Sequence, residues 1–359
     1  MSRLCHKDEK QVDDLSTMVE GSPHIAVVIP VYNEEDHIKD CLESLLHQTI
    51  SSDTYTIIVV DGGSTDSTIS LVEQIIDSNQ PLRPTVSLIN NPHRAVPHAR
   101  NIALQQLPKS VEFVVEHIGH SMVESNFLEL RMKAWQKSKA IFGDRLAGVG
   151  VQVIPSSRLQ HSQSIWIEAA MRSRLGHSNG QFAQFSSIES TNTPAFVMHS
   201  RSILDDIGGW DEAFLTSQDS ELSMRLINAG YVLARCPYPQ IEMKKRDTLR
   251  HWWLMSHRYG FWRTKVLMKY PRRAKIVEFL PWIGLLLTSF LFLTNTPMWY
   301  IPVLCYGVVM MTESIHQSIY FRSISSVFGC ILALLILHIG FSIGLIDGLF
   351  RKGKFSKDR

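Results

Sequence analysis

Two apolar runs near the start of the chain constrain its fold most strongly, because each leads into a polar turn and a helix-like pattern. Residues 25–29 form the first run and residues 57–60 the second. Apolar side chains then recur at helical spacing, over 38–46 after the first turn and over 69–76 after the second. Two consecutive strand–helix units predict neighbouring parallel strands with right-handed crossovers. Their turns therefore open on one edge of an α/β sheet, where such folds bind ligands.

The second turn has the composition of a ligand-binding loop. Asp61 ends the apolar run and is expected to project from the carboxyl end of the strand. Gly62 and Gly63 follow it and would allow a ligand to approach the backbone closely. The alternative is an ordinary strand–helix loop in which Asp66 or Thr65 caps the next helix.

The two turns together carry a family resemblance. The sequence IPVYNEE at residues 29–35, followed by VVDGGSTDST at 59–68, resembles the inverting family 2 glycosyltransferases. The resemblance covers roughly residues 25–262 and is similar in particular to the succinoglycan-type, membrane-associated polysaccharide transferases. It implies an α/β catalytic domain of GT-A fold, Rossmann-like with a mostly parallel sheet, followed here by C-terminal transmembrane helices. It also implies inverting transfer of a sugar from a nucleotide-diphosphate sugar to a hydroxyl of a lipid-linked saccharide acceptor, in polysaccharide or glycolipid synthesis.

The resemblance assigns the nucleotide-sugar site to these turns and to a later basic segment. The expected contacts are Pro30, Tyr32, Asn33, Glu34, Asp61, Gly62, Gly63, Asp66, Arg94 and Arg100. In relatives, the arginine of an Ala-Arg-Asn sequence, here residues 99–101, lies close to the bound nucleotide. The alternative for Arg100 is a solvated position in the first turn of a helix.

A further predicted strand, at residues 111–115, leads to the position where relatives carry an acidic metal motif. Ile118 stands where the family has an aspartate, and isoleucine cannot ligate a cation. Glu116 and His120 are the nearby candidate ligands, and a carboxylate with an imidazole suits Mn²⁺ better than Mg²⁺. The prediction is a divalent cation, Mn²⁺ or Mg²⁺, or alternatively a lost metal site in which Arg94 or Arg100 faces the diphosphate.

A second chemical centre lies at residues 217–226. The resemblance makes Asp219 the general base, and the upstream sequence Gly-Trp-Asp-Glu at 209–212 belongs to the same pattern. Asp219 also suits an N-terminal cap of the predicted helix, and both roles are compatible. The residues expected on the acceptor side are Trp210, Gln218, Glu221 and Arg258. Gln218 replaces an acid of the family pattern.

Composition limits the partners and the compartment. The formal net charge is +2, and no basic stripe with interleaved aromatic residues appears, which argues against nucleic-acid binding. The five cysteines form no C-x-x-C pair, so neither a disulfide framework nor a zinc site is indicated. Residues 1–24 are polar and lack the apolar stretch of a secretory signal. A cytoplasmic catalytic domain is therefore expected.

The last third of the chain changes to an apolar composition. Residues 279–294, 299–311 and 324–350 contain few charges, and only the last segment is clearly long enough to span a bilayer. Basic residues precede the first segment and follow the last, which favours placing both ends in the cytoplasm. Three spans cannot satisfy that preference, so either one segment is re-entrant or the last is a hairpin bent at Gly340 or Gly344.

The sequence thus predicts a multi-pass protein of the cytoplasmic (inner) membrane that contacts membrane lipid. Its expected parts are a polar tail (1–24), a catalytic domain (25–245), an amphipathic interfacial segment (246–276), a transmembrane region (277–350) and a basic tail (351–359). Two other functions remain open. One is a polyprenyl-phosphate sugar synthase, whose acceptor is a bare lipid phosphate. The other is a non-catalytic membrane partner that binds a nucleotide sugar, suggested by Ile118.

Overall fold

The computed structural model describes residues 24–353 except 79–83, 156–160, 178–179, 181 and 244–245. Most of the predicted tails, at 1–24 and 351–359, therefore lies outside the described residues. The strands are β1 (Ile25–Val31), β2 (Tyr55–Asp61), β3 (Thr85–Asn90), β4 (Phe113–Glu116), β5 (Ser121–Met122), β6 (Leu146–Pro155), β7 (Glu189–Ser190), β8 (Met198–Ser200) and β9 (Val232–Met243). The helices are α1 (Ile38–Leu46), α2 (Thr68–Ser78), α3 (Val96–Gln106), α4 (Phe127–Phe142), α5 (Ser162–Arg172), α6 (Arg174–His177), α7 (Arg201–Ile207), α8 (Gln218–Asn228), α9 (Leu249–Lys269), α10 (Leu280–Leu293), α11 (Ile301–Phe321) and α12 (Ser325–Phe350).

The strands form one mixed sheet whose order defines where a ligand can bind. The order is β3-β2-β1-β4-β8-β6-β9-β5, with β7 also paired to β9. Strands β3, β2, β1 and β4 are mutually parallel, whereas β8 is antiparallel to both β4 and β6. The chain runs from β1 to β2 on one side and returns to β4 on the other. A crevice opens at such a switch point, outside the carboxyl ends of the strands.

Alternation along β1 explains why its sequence is apolar throughout. Val27 and Ile29 face the core formed with α1 and α4, and Ala26 and Val28 face the core formed with α3 and α8. A parallel strand covered by helices on both faces must be apolar at nearly every position. The continuous apolar run in the sequence is therefore the signature of a central strand.

Most predicted elements are present, with shifted ends. Strand β4 begins two residues after its predicted start and extends one residue beyond its predicted end, to Glu116. A short connection through residues 271–273 and 276–279 joins α9 to α10. Within the described residues, two segments are apolar and long enough to cross a membrane, Ile276–Leu293 and Ser325–Phe350. The middle segment predicted at 299–311 is the start of α11, whose second half is polar.

Candidate active site

The loops after β1 and β2 are tied together by side chain–backbone hydrogen bonds. The Asn33 backbone N–H donates to the Ser64 hydroxyl at 2.9 Å, and the Asn33 side-chain oxygen accepts from the Thr65 N–H at 2.8 Å. The Glu34 N–H donates to the Thr68 hydroxyl at 2.8 Å. Asn33 adopts a φ of 53°, a left-handed conformation that asparagine tolerates better than most residues. The two polar turns predicted from the sequence therefore form one rigid unit.

Asp61 and Asp66 shape this unit. The Asp61 carboxylate accepts from the Gly63 N–H at 2.8 Å and from the Ser64 N–H at 3.0 Å. The Asp66 carboxylate accepts from the N–H groups of Glu35 and Thr68, which lowers its pKa although burial acts in the opposite direction. Asp66 therefore has a clear structural role at the start of α2, as the capping alternative anticipated.

The segment after β3 closes over these loops. A Cβ atom at Gly62 would lie 3.2 Å from the Arg94 carbonyl oxygen and 3.3 Å from the Val31 carbonyl oxygen, so the glycine permits a close backbone approach. The exposed Arg94 guanidinium lies over the Tyr32 ring, 5.0 Å from its centroid. Pro30 lies in β1 opposite Val60 of β2. Every predicted nucleotide contact except Arg100 is thus gathered on these adjoining loops.

Arg100 lies in α3, and its side chain reaches the carboxyl end of β4. Its guanidinium forms an ion pair with Glu116, with Nη1 3.2 Å from Oε1, and both side chains are buried. His199 lies 3.3 Å from the same carboxylate, and the Trp210 indole N–H donates to it at 3.2 Å. Burial alone would raise the pKa of Glu116, but Arg100, His199 and Trp210 overcome this and lower it to about 2. Glu116 is therefore an ionised, fully engaged group. His199 could not be recognised from the sequence, because a single histidine in a short strand forms no pattern.

Asp219 occupies the first turn of α8, close to this ion pair. Its side chain is partly exposed, and desolvation by the surrounding protein raises the pKa of its carboxyl. Arg100 and Arg273 oppose that shift, and Glu116 adds to it. A carboxylate with a raised pKa is a better proton acceptor than an ordinary surface aspartate. Arg273, predicted at the membrane interface, is instead buried and donates to the Asn192 carbonyl at 3.0 Å.

The Gly-Trp-Asp-Glu segment is fixed to α3 by Asn101. The Asn101 amide donates to the Trp210 carbonyl at 2.9 Å and accepts from the Trp210 N–H at 2.9 Å. The same amide nitrogen donates to the Glu212 carboxylate at 2.9 Å. Asn101 therefore holds the segment that places Trp210 against Glu116. The Ala-Arg-Asn sequence suggested a role only for Arg100. In the structure, Asn101 is the residue that fixes the segment 209–212 to α3.

The acceptor-side prediction for Glu221 does not agree with the structure. Glu221 is fully buried, and its carboxylate accepts from Arg225 at 2.9 Å, Lys269 at 2.8 Å and the Tyr270 hydroxyl at 2.9 Å. Lys269 also pairs with Asp211 at 2.8 Å, and the hydrogen bonds to Asp211 and Glu221 raise its pKa although burial opposes this. Glu221 thus connects α8 to the end of α9, and its three donors leave it no free face toward an acceptor.

The other three residues predicted on the acceptor side are also buried. Trp210 is 2% exposed and packs against Glu116 and His199. Arg258 is buried in α9, with its guanidinium 5.7 Å from the centre of the Tyr259 ring. Gln218 is buried at the start of α8, beside Asp219. Trp210 and Gln218 thus adjoin Glu116 and Asp219, and the acceptor-side role of all three residues stays a prediction.

The residues at the end of β4 do not fit a cation held by protein ligands, contrary to the prediction for Glu116 and His120. Glu116 is occupied by Arg100, and His120 Nδ1 lies 2.8 Å from a Glu34 carboxylate oxygen. Ile118 offers only its carbonyl, which accepts from the Ser121 hydroxyl. Within the described residues, no group of three or more histidine, cysteine, aspartate or glutamate side chains is arranged to hold a metal ion. Strand β4 ends at Glu116, so Ile118 and His120 lie beyond it.

Comparison with protein families gives two matches that together cover most of the chain. Residues 26–208 match the family described as "Glycosyl transferase family 2", and residues 166–346 match "Glycosyl transferase family group 2". The first match spans just over half of the chain and includes the β1 and β2 loops, Arg94, Arg100 and Glu116. The second match includes Asp219 and the C-terminal helices.

Individual relatives are distant in sequence, and their names refer to glycosyl transfer or to polysaccharide synthesis. The succinoglycan biosynthesis protein ExoA of Rhizobium meliloti is 24% identical over 334 residues, 89% of this chain and 92% of the relative. A Methanococcus voltae dolichyl N-acetyl-alpha-D-glucosaminyl phosphate 3-beta-D-2,3-diacetamido-2,3-dideoxy-beta-D-glucuronosyltransferase is 24% identical over 66% of this chain and 71% of the relative. The mannosyltransferase PcManGT of Pyrobaculum calidifontis, solved with GDP-Man and Mn²⁺, is 16% identical with a TM-score of 0.57 over 92% of this chain and 88% of that chain. The last similarity confirms the predicted fold.

Proposed function

This chain belongs to glycosyltransferase family 2, and we propose that it moves a sugar from a nucleoside diphosphate sugar to a hydroxyl of a lipid-linked saccharide. The transfer inverts the anomeric centre, with Asp219 as general base. The observation that carries the proposal is the position of Asp219, within electrostatic reach of Arg100 and Glu116. Glu116 ends β4, which runs parallel to β1 and β2, so the base and the two-loop pocket share one edge of the sheet.

The reaction is a single displacement. The acceptor oxygen forms a bond to the anomeric carbon as the bond from that carbon to the diphosphate oxygen breaks. The acceptor proton passes to the Asp219 carboxylate, whose raised pKa favours accepting it. The diphosphate leaves with the bonding electron pair. Attack opposite the leaving group inverts the configuration and requires no covalent enzyme intermediate.

Arg94 is the better candidate for the charge of the leaving diphosphate. The charge of Arg100 is already balanced by Glu116 at 3.2 Å. Arg94 is exposed above Tyr32 at the mouth of the two-loop pocket. Fixed positive charge aimed at a developing anion stabilises the transition state. Asp61 and Glu34 are proposed to bind the nucleoside in the same pocket.

The names of the relatives support the acceptor class. The archaeal relative is named for a dolichyl-linked sugar phosphate acceptor, and the rhizobial relative for succinoglycan biosynthesis. Neither name favours the two alternatives, a polyprenyl-phosphate sugar synthase or a non-catalytic partner. A lipid phosphate ionises near neutral pH and needs no strong base. Dependence of transfer on Asp219 therefore separates the proposed reaction from the synthase.

The proposal is tested by following a labelled sugar. Membranes containing the chain are first screened for donor binding with a panel of nucleoside diphosphate sugars, because a bound ligand raises the apparent thermal stability. The donor that binds is then supplied with a radiolabelled sugar. We expect the label to enter the lipid extract. Donor binding without any transfer would contradict the proposal and would favour the non-catalytic alternative.

Asp61→Ala is expected to weaken donor binding more than the chemical step. Loss of a charged hydrogen bond costs about 1.5–3 kcal/mol, which corresponds to roughly a 10- to 150-fold increase in Kd. Calorimetric titration with the nucleoside diphosphate measures this change. Asp77→Ala is the control, since Asp77 is exposed on α2. Unchanged affinity in Asp61→Ala would mean that the nucleotide binds elsewhere.

Transfer is expected to keep most of its rate in the presence of a chelator. The physical reason is that Glu116 is paired with Arg100. In addition, the Ile118 side chain has no atom that can ligate a cation. Transfer is measured in EDTA and again after Mn²⁺ or Mg²⁺ is restored. The expectation would be contradicted if transfer strictly required a cation and were lost in Glu116→Gln or His120→Ala. That result would favour Glu116 and His120 as cation ligands.

A further inference from the structure

We propose that α12 does not cross the membrane but lies along it, in the leaflet that faces the catalytic domain. The helix has 26 residues and is rich in apolar side chains. At 1.5 Å per residue it is about 39 Å long, more than the roughly 30 Å needed to span a bilayer. Length and composition alone would therefore make it a spanning helix. Its contacts indicate another orientation.

One face of α12 is packed against the catalytic unit along its whole length. At its start, the Trp166 indole N–H of α5 donates to the Ser325 hydroxyl at 3.3 Å, and Gly329 lies against the same indole ring. In its middle, His338 Nε2 lies 3.1 Å from the Leu175 carbonyl of α6. Buried positions occur in both halves of the helix. They are Ser326, Gly329, Cys330, Ala333, Leu334, Gly340, Ser342, Gly344, Leu345 and Gly348.

The second half of α12 runs parallel to α9 at very short range. A Cβ atom at Gly340 would meet Ser256, one at Gly344 would lie 2.1 Å from the His257 carbonyl oxygen, and one at Gly348 would lie 2.6 Å from the Phe261 carbonyl oxygen. The residue numbers of the paired positions increase in the same direction along both helices. The two helices are therefore parallel and lie side by side. Glycines allow two helix backbones to approach this closely.

Polar side chains of α9 reach the end of α12. The Thr264 hydroxyl donates to the Leu345 carbonyl at 2.7 Å, and the Lys265 ammonium donates to the Gly348 carbonyl at 2.7 Å. Lys265 also donates to the Arg351 carbonyl. The polar end of α12 is therefore bound to α9.

Helix α9 cannot cross a bilayer. It carries several basic residues along its length, and charged side chains are costly at the bilayer centre. Lys269 at its end pairs with Asp211 and Glu221 of the catalytic domain, and Arg263 pairs with Glu278. Because α9 belongs to the catalytic unit and α12 lies parallel against it, α12 shares its orientation. Both ends of α12 then lie on one side of the membrane.

The opposite face of α12 is apolar and exposed from end to end. Its residues include Phe328, Leu332, Ile339, Ile343, Ile346 and Leu349. Basic residues flank the apolar region, with Arg272 and Lys275 before α10 and Arg351 and Lys352 after α12. An apolar face bordered by basic residues matches the acyl chains and anionic headgroups of one leaflet. The partner assigned to this face is therefore membrane lipid.

Helices α10 and α11 form a hairpin that starts and ends at the catalytic unit. The connection before α10 is held by Glu278, which pairs with Arg263 of α9. The far end of α11 is held by Glu313, which accepts from the Arg174 N–H at 3.0 Å, and by Gln317, which accepts from Arg172 at 3.2 Å. The chain therefore leaves and re-enters the catalytic side before α12 begins. Both basic segments lie on that side, as the positive-inside preference requires.

Thiol labelling of the two ends of α12 tests the proposal in the full-length chain. The background replaces Cys5 and Cys305 with serine; Cys305 is exposed, whereas Cys41, Cys236 and Cys330 are buried. Ile324→Cys and Lys352→Cys are each treated with a membrane-impermeant maleimide, in sealed vesicles of either orientation. Glu212→Cys in the catalytic domain is the matched control. We expect both variants to react from the same face as the control. Labelling of Ile324→Cys from the opposite face would overturn the proposal.

Depth measurements give a second readout that does not depend on water access. Spin labels are placed singly at Phe328, Leu332, Ile339, Ile343 and Ile346, in vesicles of phosphatidylethanolamine and phosphatidylglycerol. Collision rates with oxygen and with a water-soluble nickel chelate are then compared. A nearly constant depth along α12 is expected. A profile that is deepest in the middle and shallow at both ends would show a spanning helix and overturn the proposal. Spin–spin broadening between copies, with loss of oxygen access, would assign the face to a dimer and also overturn it.

Discussion

Asp219→Asn is expected to abolish most sugar transfer while donor binding is kept. Asparagine preserves the shape of the side chain but cannot accept the proton of the acceptor hydroxyl. Loss of a general base typically costs about a hundredfold to ten-thousandfold in rate. The measurement compares the transfer rate at saturating donor with the affinity for the donor, determined on the same preparation.

A matched control separates this effect from a general loss of charge. Asp206→Asn makes the same chemical change at an exposed position on α7. It is expected to leave both transfer and binding unchanged. Near-normal transfer by Asp219→Asn would remove Asp219 from the mechanism. An equal loss of binding and transfer would instead indicate that the helix start has been disturbed.

Arg100→Met is expected to cost about 3–5 kcal/mol of folding stability, because it leaves the buried Glu116 carboxylate without its cation. The carboxylate has a pKa of about 2 in the folded protein. Without Arg100, the chain must either keep a buried negative charge or protonate the group. Urea unfolding of the detergent-solubilised protein, followed by circular dichroism, measures the change.

The double variant Arg100→Met/Glu116→Gln distinguishes a charge effect from a packing effect. The glutamine oxygen can still accept from His199 and Trp210, and no unpaired charge remains buried. We expect the double variant to recover most of the lost stability. If it is as unstable as Arg100→Met alone, the guanidinium acts through its packing over the Trp210 ring, from which it lies 5.5 Å. If it also recovers full transfer activity, Arg100 has no direct role in catalysis.

The catalytic sheet was predictable because its signals are local. The apolar run of β1 reflects burial on both faces, and the Asp61-Gly62-Gly63 turn reflects the need for a close backbone approach. Each signal is carried by a short run of consecutive residues in the sequence. The nucleotide loops could therefore be identified without knowledge of any distant contact.

The predictions that failed depend on contacts between distant parts of the chain. Glu116 was taken for a metal ligand because its partners Arg100 and His199 come from other elements. Glu221 was placed toward the acceptor because Lys269 and Tyr270 lie almost fifty positions later. A carboxylate near a strand end or helix start has the same sequence signature whether it binds a ligand or a buried cation.

In the membrane region, too, the sequence pattern leaves the contacts of each helix unspecified. Hydropathy describes how apolar α12 is but not which of its faces is already covered. The spacing of Gly340 and Gly344 was visible in the sequence, and either glycine was interpreted as a possible bend of the helix. In the structure, this spacing forms the contact surface with α9. Two parallel helices in contact have the same orientation relative to the membrane. That orientation follows from which residues of α9 and α12 are in contact, and hydropathy does not contain this information.

The anomeric configuration of the product tests the central claim most directly. Reconstituted protein is given the donor identified by binding together with a lipid extract as the acceptor source, and the product is isolated before any later enzyme can act. Proton NMR of the new glycosidic linkage then reports its configuration. A single displacement assisted by Asp219 predicts a configuration opposite to that of the donor. A product that retains the donor configuration would contradict the account, because retention needs a second displacement or a different face of attack.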